Sequence, residues 1–260
     1  MDQSQSSQVF LFDKGDPEMQ RAYELARANF RYFWREIAWE RRRIVGALDL
    51  AYVKAPFSDT KQGVSASNQS DVELMWIDEI DFDGETVSGV LLNTPNHLTS
   101  VRAGDSVQTP LNQIGDWMYA INGAVYGAFT VNLIRSRMSE RERIGHDRAW
   151  GLQFGDPRSV RVVQPDQMPE TREHPMSVAM AQPLKDQLAQ NPTMRDERGG
   201  GGWTLLHSEA LAGSEATVRV LLEDGADPNV MTERGWTPLR LAESLGWDKV
   251  ALLLKSSGGR

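Results

Sequence analysis

The chain of 260 residues contains no cysteine, which excludes disulfides, a thiol nucleophile and any cysteine-ligated zinc site. A reducing cytoplasm is the compartment such a composition fits. No continuous apolar run reaches the roughly 20 residues of a membrane helix. The N-terminal stretch MDQSQSSQVFLFDKGD lacks a basic start followed by a long apolar region, so no secretory signal is read there. Histidine is scarce, and His97, His146, His174 and His207 include no pair at helical metal-ligand spacing. No Gly-x-Ser-x-Gly elbow occurs. The glycines 199–202 are followed by Trp203-Thr204 and not by Lys-Ser/Thr, which excludes a phosphate loop. Basic charge is also short: the net charge is −8, which points away from nucleic acid and from an anionic membrane as partner. Neither a metal nor a cofactor is expected, and no catalytic constellation emerges.

What is present reads as a globular protein, with 40% hydrophobic and 25% charged residues. The length suits two domains. Asp16-Pro17-Glu18 combines an N-cap residue, proline at the first helical position and an acid in the first turn. Met19, Tyr23, Ala26, Phe30, Phe33 and Ile37 then recur every three or four residues, predicting a helix to about Arg43 whose apolar face packs on a sheet. Val9 to Phe12 reads as a short edge strand, Ala47 to Phe57 as a strand, and 58–70 as a polar loop. Partial alternation through Val72, Leu74 and Trp76, then Asp83-Gly84, then Thr86 to Leu92 predicts a β-hairpin. Asn122-Gly123, with apolar residues on both sides, predicts another. Thr130 to Arg143 reads as a covering helix. The first domain is therefore expected to be α+β, with helices packed on an antiparallel sheet.

Between residues 62 and 101 there is no Lys or Arg, yet Asp71, Glu73, Asp78, Glu79, Asp81, Asp83 and Glu85 all fall there. The bland explanation is a solvated face that protects a sheet edge. The sharper one is a docking surface for a basic protein, since charge of one sign steers an oppositely charged partner. Asp116 beside Trp117 and Tyr119 is the best candidate for a ligand site, because an acid among aromatics can have its pKa raised and the rings can stack on a ligand. Core strand residues and a turn-capping aspartate would give the same pattern.

Prolines 157, 165, 169 and 175 mark a connector over 156–175, dividing a domain of residues 1–155 from a tail of 176–260. The tail repeats itself every 33 residues. Gly202-Trp203-Thr204 returns as Gly235-Trp236-Thr237, Leu206 returns as Leu239, and Leu188, Leu221 and Leu254 share one register. With Thr237-Pro238-Leu239 and Gly225-Ala226-Asp227-Pro228-Asn229, this resembles an array of ankyrin repeats, all-α, with a degenerate first unit and two recognisable ones. Leu205 stands where proline is usual and Arg240 where histidine is usual.

The first domain resembles the YegJ-like family of bacterial domains of unknown function. The matching stretches are Asp16 to Met19, Phe30 to Trp34, Val53-Lys54-Ala55 with Phe57, Glu73 to Ile77, Gly89 to Pro95 and Asp116 to Tyr119. That resemblance implies a small α+β domain, sometimes fused to ankyrin repeats, and carries over no catalytic residue. The ankyrin resemblance implies protein binding, with Trp203 and Trp236 at its surface. Together with the acidic run, these features predict a non-enzymatic cytoplasmic interaction protein. Its sharpest form is an immunity or inhibitor protein that occludes a basic toxin or effector domain. The alternative is a small-molecule-binding or hydrolytic domain with its site at Asp116, Trp117 and Tyr119, targeted by the repeats.

Overall fold

The computed structural model describes residues 16–59, 72–165 and 173–260. The strand expected at Val9 to Phe12, most of the 58–70 loop, Asp71 and the middle of the connector lie outside the described residues. The chain divides into two compact units, residues 1–33 with 47–162, and residues 34–46 with 163–260.

The first unit is built on a six-stranded antiparallel sheet in the order β4-β3-β2-β1-β5-β6. Its strands are β1 (Leu48–Ser58), β2 (Val72–Phe82), β3 (Thr86–Leu91), β4 (Ser106–Pro110), β5 (Asp116–Ile121) and β6 (Ala124–Gly127). Helix α1 (Pro17–Glu40) starts where expected, and the Asp16 carboxylate accepts the Glu18 and Met19 N–H groups at 3.0 and 3.3 Å. Its Tyr23, Ala26, Phe30 and Phe33 are buried against one sheet face. There Trp117 packs 5.6 Å from Phe33 and donates its indole N–H to the Ala26 carbonyl at 2.7 Å. The opposite face holds Trp76, Met118, Ala120, Val125, Leu152 and Phe154 in a second cluster.

Two features depart from expectation. β4 falls in what reads as a turn-rich connection, because a five-residue edge strand has too few alternating positions to stand out. The single helix expected from Thr130 to Arg143 is two helices, α2 (Phe129–Ser136) and α3 (Glu140–Trp150). Ser139 and Glu142 form a reciprocal capping box that starts α3 afresh, a Ser-x-x-Glu signal visible in the sequence.

In the second unit α4 (Pro175–Gln190) packs on α6 (Glu215–Glu223), α6 packs on α8 (Asp248–Ser256), and α5 (Leu205–Ala212) packs on α7 (Pro238–Ser244). Leu188, Leu221 and Leu254 are all buried in one core with Leu206, Leu239 and Val218. The expected periodicity is thus the periodicity of packing. His207 sits at the centre. Its Nδ1 accepts the Thr204 N–H at 3.1 Å, and its Nε2–H faces the carbonyls of Val230 and Trp236, each at 3.1 Å. In the next unit Arg240 replaces this histidine and lies over the Trp236 ring at 4.0 Å, while Thr237 caps α7 by accepting the Arg240 N–H.

The last turns of α1 belong to this second unit. Trp39 stacks on His174 with ring centroids 5.7 Å apart, Arg43 bonds Glu36 at 2.9 Å and Glu40 at 2.6 Å, and Arg42 pairs with the buried Glu209 at 2.5 Å. Residues 34–46 therefore lie beside α4 and α5, where the degenerate first repeat supplies α4 but no counterpart of α5 and α7. A solenoid end needs such cover, because each unit buries its apolar face only against a neighbour.

Candidate functional site

The acidic run folds into the β2–β3 hairpin, and its carboxylates separate into two groups. Glu73 is 3% exposed and points inward. It accepts the backbone N–H groups of Asn96, His97 and Leu98 at 2.8, 2.6 and 3.1 Å. Burial works to raise its pKa, but these loop N–H groups prevail and hold the carboxyl below its ordinary value. Glu73 therefore leaves the expected docking set, because its oxygens are spent pinning a loop. Asp83 is half-buried and shapes the turn by accepting the Glu85 and Thr86 N–H groups at 3.0 and 2.8 Å. Glu79, Asp81 and Glu85 are exposed and Asp78 is half-buried.

The hairpin that carries them has a fixed shape. Register shifts between Asp78 and Asp81, with Glu79 in the left-handed region at φ 52°, which is a β-bulge. Opposite it, Gly89 leaves no room for a side chain, since a Cβ there would stand 2.3 Å from the Asp78 carbonyl oxygen. Bulge and glycine together turn Glu79 and Asp81 to solvent.

Asp116, Trp117 and Tyr119 do not converge. Neighbours along a strand point to opposite faces, so Trp117 and Tyr119 enter the α1 side of the sheet while Asp116 enters the other. All three are buried, at 0%, 0% and 1% exposure. Tyr119 stacks on Tyr126 at 4.8 Å. Asp116 caps α2 from a distance. Its oxygens accept the N–H groups of Trp117, Phe129 and Thr130 at 2.9, 3.0 and 2.8 Å and the Thr130 hydroxyl at 2.5 Å. This carboxylate replaces the cap that Ala128, left-handed at φ 57° and without a polar side chain, cannot provide. Burial pushes the Asp116 pKa up against the pull of Lys54, and burial pushes Lys54 down against the pull of Asp116. Four donors occupy the lone pairs, so the group is built to hold a helix and not to move a proton.

On the repeats, Trp236 is 7% exposed beneath Arg240 and Trp203 is half-buried near His207. Neither stands out as a free anchor. Among the described residues no group of three His, Asp or Glu side chains could hold a metal ion. Among them, too, no helix is long and apolar enough to cross a membrane.

Comparison with known proteins fits this architecture. Residues 16–154 match the family described as "Uncharacterized protein conserved in bacteria (DUF2314)". The chain belongs to the DUF2314 family. Residues 201–233 of this DUF2314 protein match the ankyrin repeat. It is 44% identical over 252 residues to a putative ankyrin repeat protein, NMB1133/NMB1171, of Neisseria meningitidis serogroup B, covering 96% of this chain and 97% of that protein. It is 27% identical over 84 residues to the uncharacterized protein YegJ of Escherichia coli, covering 32% of this chain and 49% of YegJ. Among solved structures, the ankyrin repeat domain of human ASB11 matches with 30% identity and a TM-score of 0.29, covering 34% of this chain and 41% of that one.

Proposed function

We propose that this DUF2314 protein is a cytoplasmic binding protein whose partner is a basic protein docked on the β2–β3 hairpin. The ankyrin repeats indicate a protein–protein interaction role and add a second contact surface. The observation that carries the reading is the exposure of Glu79, Asp81 and Glu85 on a hairpin bent by a bulge, in a stretch without Lys or Arg from 62 to 101. Such a surface accelerates encounter with a cationic partner by roughly 10 to 10³ and rejects anionic ones. Occlusion of a toxin or effector, as by an immunity protein, is the specific form we favour. The same charge disfavours nucleic acid and anionic membrane as partners. No site for catalysis is required by this reading, and the saturated Asp116 carboxylate gives the hydrolytic alternative no support.

The test is co-purification from the protein's own source cells, comparing the native chain with a Glu79→Lys, Asp81→Lys, Glu85→Lys variant. All three side chains are exposed. The native chain should retain a basic partner near one-to-one. The variant should bind it about 10- to 100-fold more weakly, with a flatter salt dependence. Equal retention by both proteins would remove the hairpin from the function.

A further inference from the structure

The two edges of the sheet are treated differently by the chain. The β6 edge is closed by the chain's own backbone. The Val125 N–H donates to the Gln153 carbonyl at 3.1 Å and the Gly127 N–H to the Arg161 carbonyl at 2.7 Å. The β4 edge is open: β4 ends the strand order, and among the described residues no other strand pairs with it. Its register with β3 is unbroken through five consecutive pairs, without a bulge. Its residues, Ser106-Val107-Gln108-Thr109-Pro110, include no charge. Bulges, charges and lysines are the usual protections of an edge strand, and here only Pro110 provides one.

Hydrogen bonds flanking β4 define which backbone groups are available. The Leu91 N–H donates to the Asp105 carbonyl and the Leu111 N–H to the Glu85 carbonyl, each at 2.9 Å. Antiparallel pairing alternates, so Asp105, Val107, Thr109 and Leu111 turn their backbone groups toward β3. Ser106 and Gln108 turn theirs outward, and both residues are exposed while Val107 and Thr109 are buried.

Charge then identifies the occupant. Directly paired residues share a face, and the two rows that end at the outward-facing Ser106 and Gln108 are Asp78–Val90–Ser106 and Asp81–Ser88–Gln108. Each row begins with an aspartate and contains no cation. A residue added opposite Gln108 would stand three strand spacings, about 14 Å, from Asp81. A lysine stem covers about half of that distance, bringing the charges to within the roughly 8 Å Debye length at physiological salt.

Resting on the basic-partner reading above, we propose that the partner contributes an extended segment with Lys or Arg at alternate positions, which adds to β4 as a further strand. Main-chain bonds to Ser106 and Gln108 supply affinity, and the two aspartate rows supply selectivity for cations.

The probe is a synthetic peptide of alternating Lys and Val, about 11 residues long and so about three residues longer at each end than β4, added to the full chain. Two further versions are N-methylated on one or the other set of alternate amides. The parent peptide should bind and slow amide exchange at Ser106 and Gln108 by roughly tenfold or more, and one methylated version alone should fail to bind. If both methylated versions bind as well as the parent, strand addition is overturned while charge docking stands. If methylation abolishes binding but Asp78→Asn with Asp81→Asn does not weaken it, strand addition stands and the charge reading fails. Absence of any parent binding overturns strand addition, and co-purification then judges the basic partner separately. Dimer mass on sedimentation without peptide, with those same two amides protected, would place a second copy at the edge and also overturn it.

Discussion

Replacing Asp116 by asparagine should cost the first unit about 3 kcal/mol of stability. The substitution keeps the shape of the side chain but turns one acceptor oxygen into an NH2 donor. In the native protein Oδ2 receives both the Thr130 N–H at 2.8 Å and the Thr130 hydroxyl at 2.5 Å, while Oδ1 receives Trp117 and Phe129. An amide can keep the Oδ1 bonds, and the hydroxyl can rotate, but the Thr130 N–H is left facing a donor. A buried unsatisfied donor costs roughly 1–3 kcal/mol, and the lost charge-assisted bond a comparable amount. Lys54, whose charge Asp116 supports from the same sheet face, loses its counter-ion as well. Urea unfolding followed by near-ultraviolet circular dichroism measures the global effect. Amide exchange at Phe129 and Thr130 reads the cap directly and should quicken by about a hundredfold. The Lys54→Met, Asp116→Asn double variant should lose less than the sum of the two single changes, because the pair is coupled. A loss below about 0.5 kcal/mol, the level of an ordinary surface change, would refute the cap and reopen Asp116 as a functional acid.

Other expectations concern the second unit. Burial holds the His207 pKa below its ordinary value, against the bonds to Trp236 and Val230. The unfolded chain takes up the proton near pH 6.5 and the folded unit only at lower pH. The contribution of His207 is thus complete above about pH 6.5 and is lost as the pH falls toward the folded pKa. Urea midpoints of the second unit should drop over that interval in the native protein and drop less in His207→Gln. Arg42→Ala should cost about 2 kcal/mol, because among the described residues it leaves the buried Glu209 only the Thr217 hydroxyl, 2.7 Å away, as polar partner. Adding Glu209→Gln to that variant should recover part of the loss on denaturation; if the two losses simply add, the ion pair does not couple residues 34–46 to the repeats.

Local and periodic features were legible in the residues alone. The Asp16 cap, the Tyr23–Phe33 stripe, the Asn122-Gly123 turn and the 33-residue leucine register are each written within a few turns or one repeat, and each predicts the element that forms. The shape of the site was not legible in this way. Alternation could locate Asp116, Trp117 and Tyr119 on one strand, but period two itself sends them to opposite faces, so nearness in sequence is not convergence. Seven acids look alike as letters. Only the fold distinguishes Glu73, whose lone pairs are consumed by a loop more than 20 residues away, from Glu79 and Asp81, which a bulge opposite Gly89 turns to solvent, and from Glu85, exposed just after the hairpin turn. The final turns of α1 show the same limit. Arg42, just past the helix end, reaches a glutamate 167 residues later in the chain, a contact no local pattern encodes. Propensity and periodicity act between near neighbours and so appear in sequence. Burial, and with it which charges remain free, is decided by segments that meet only when the chain has folded.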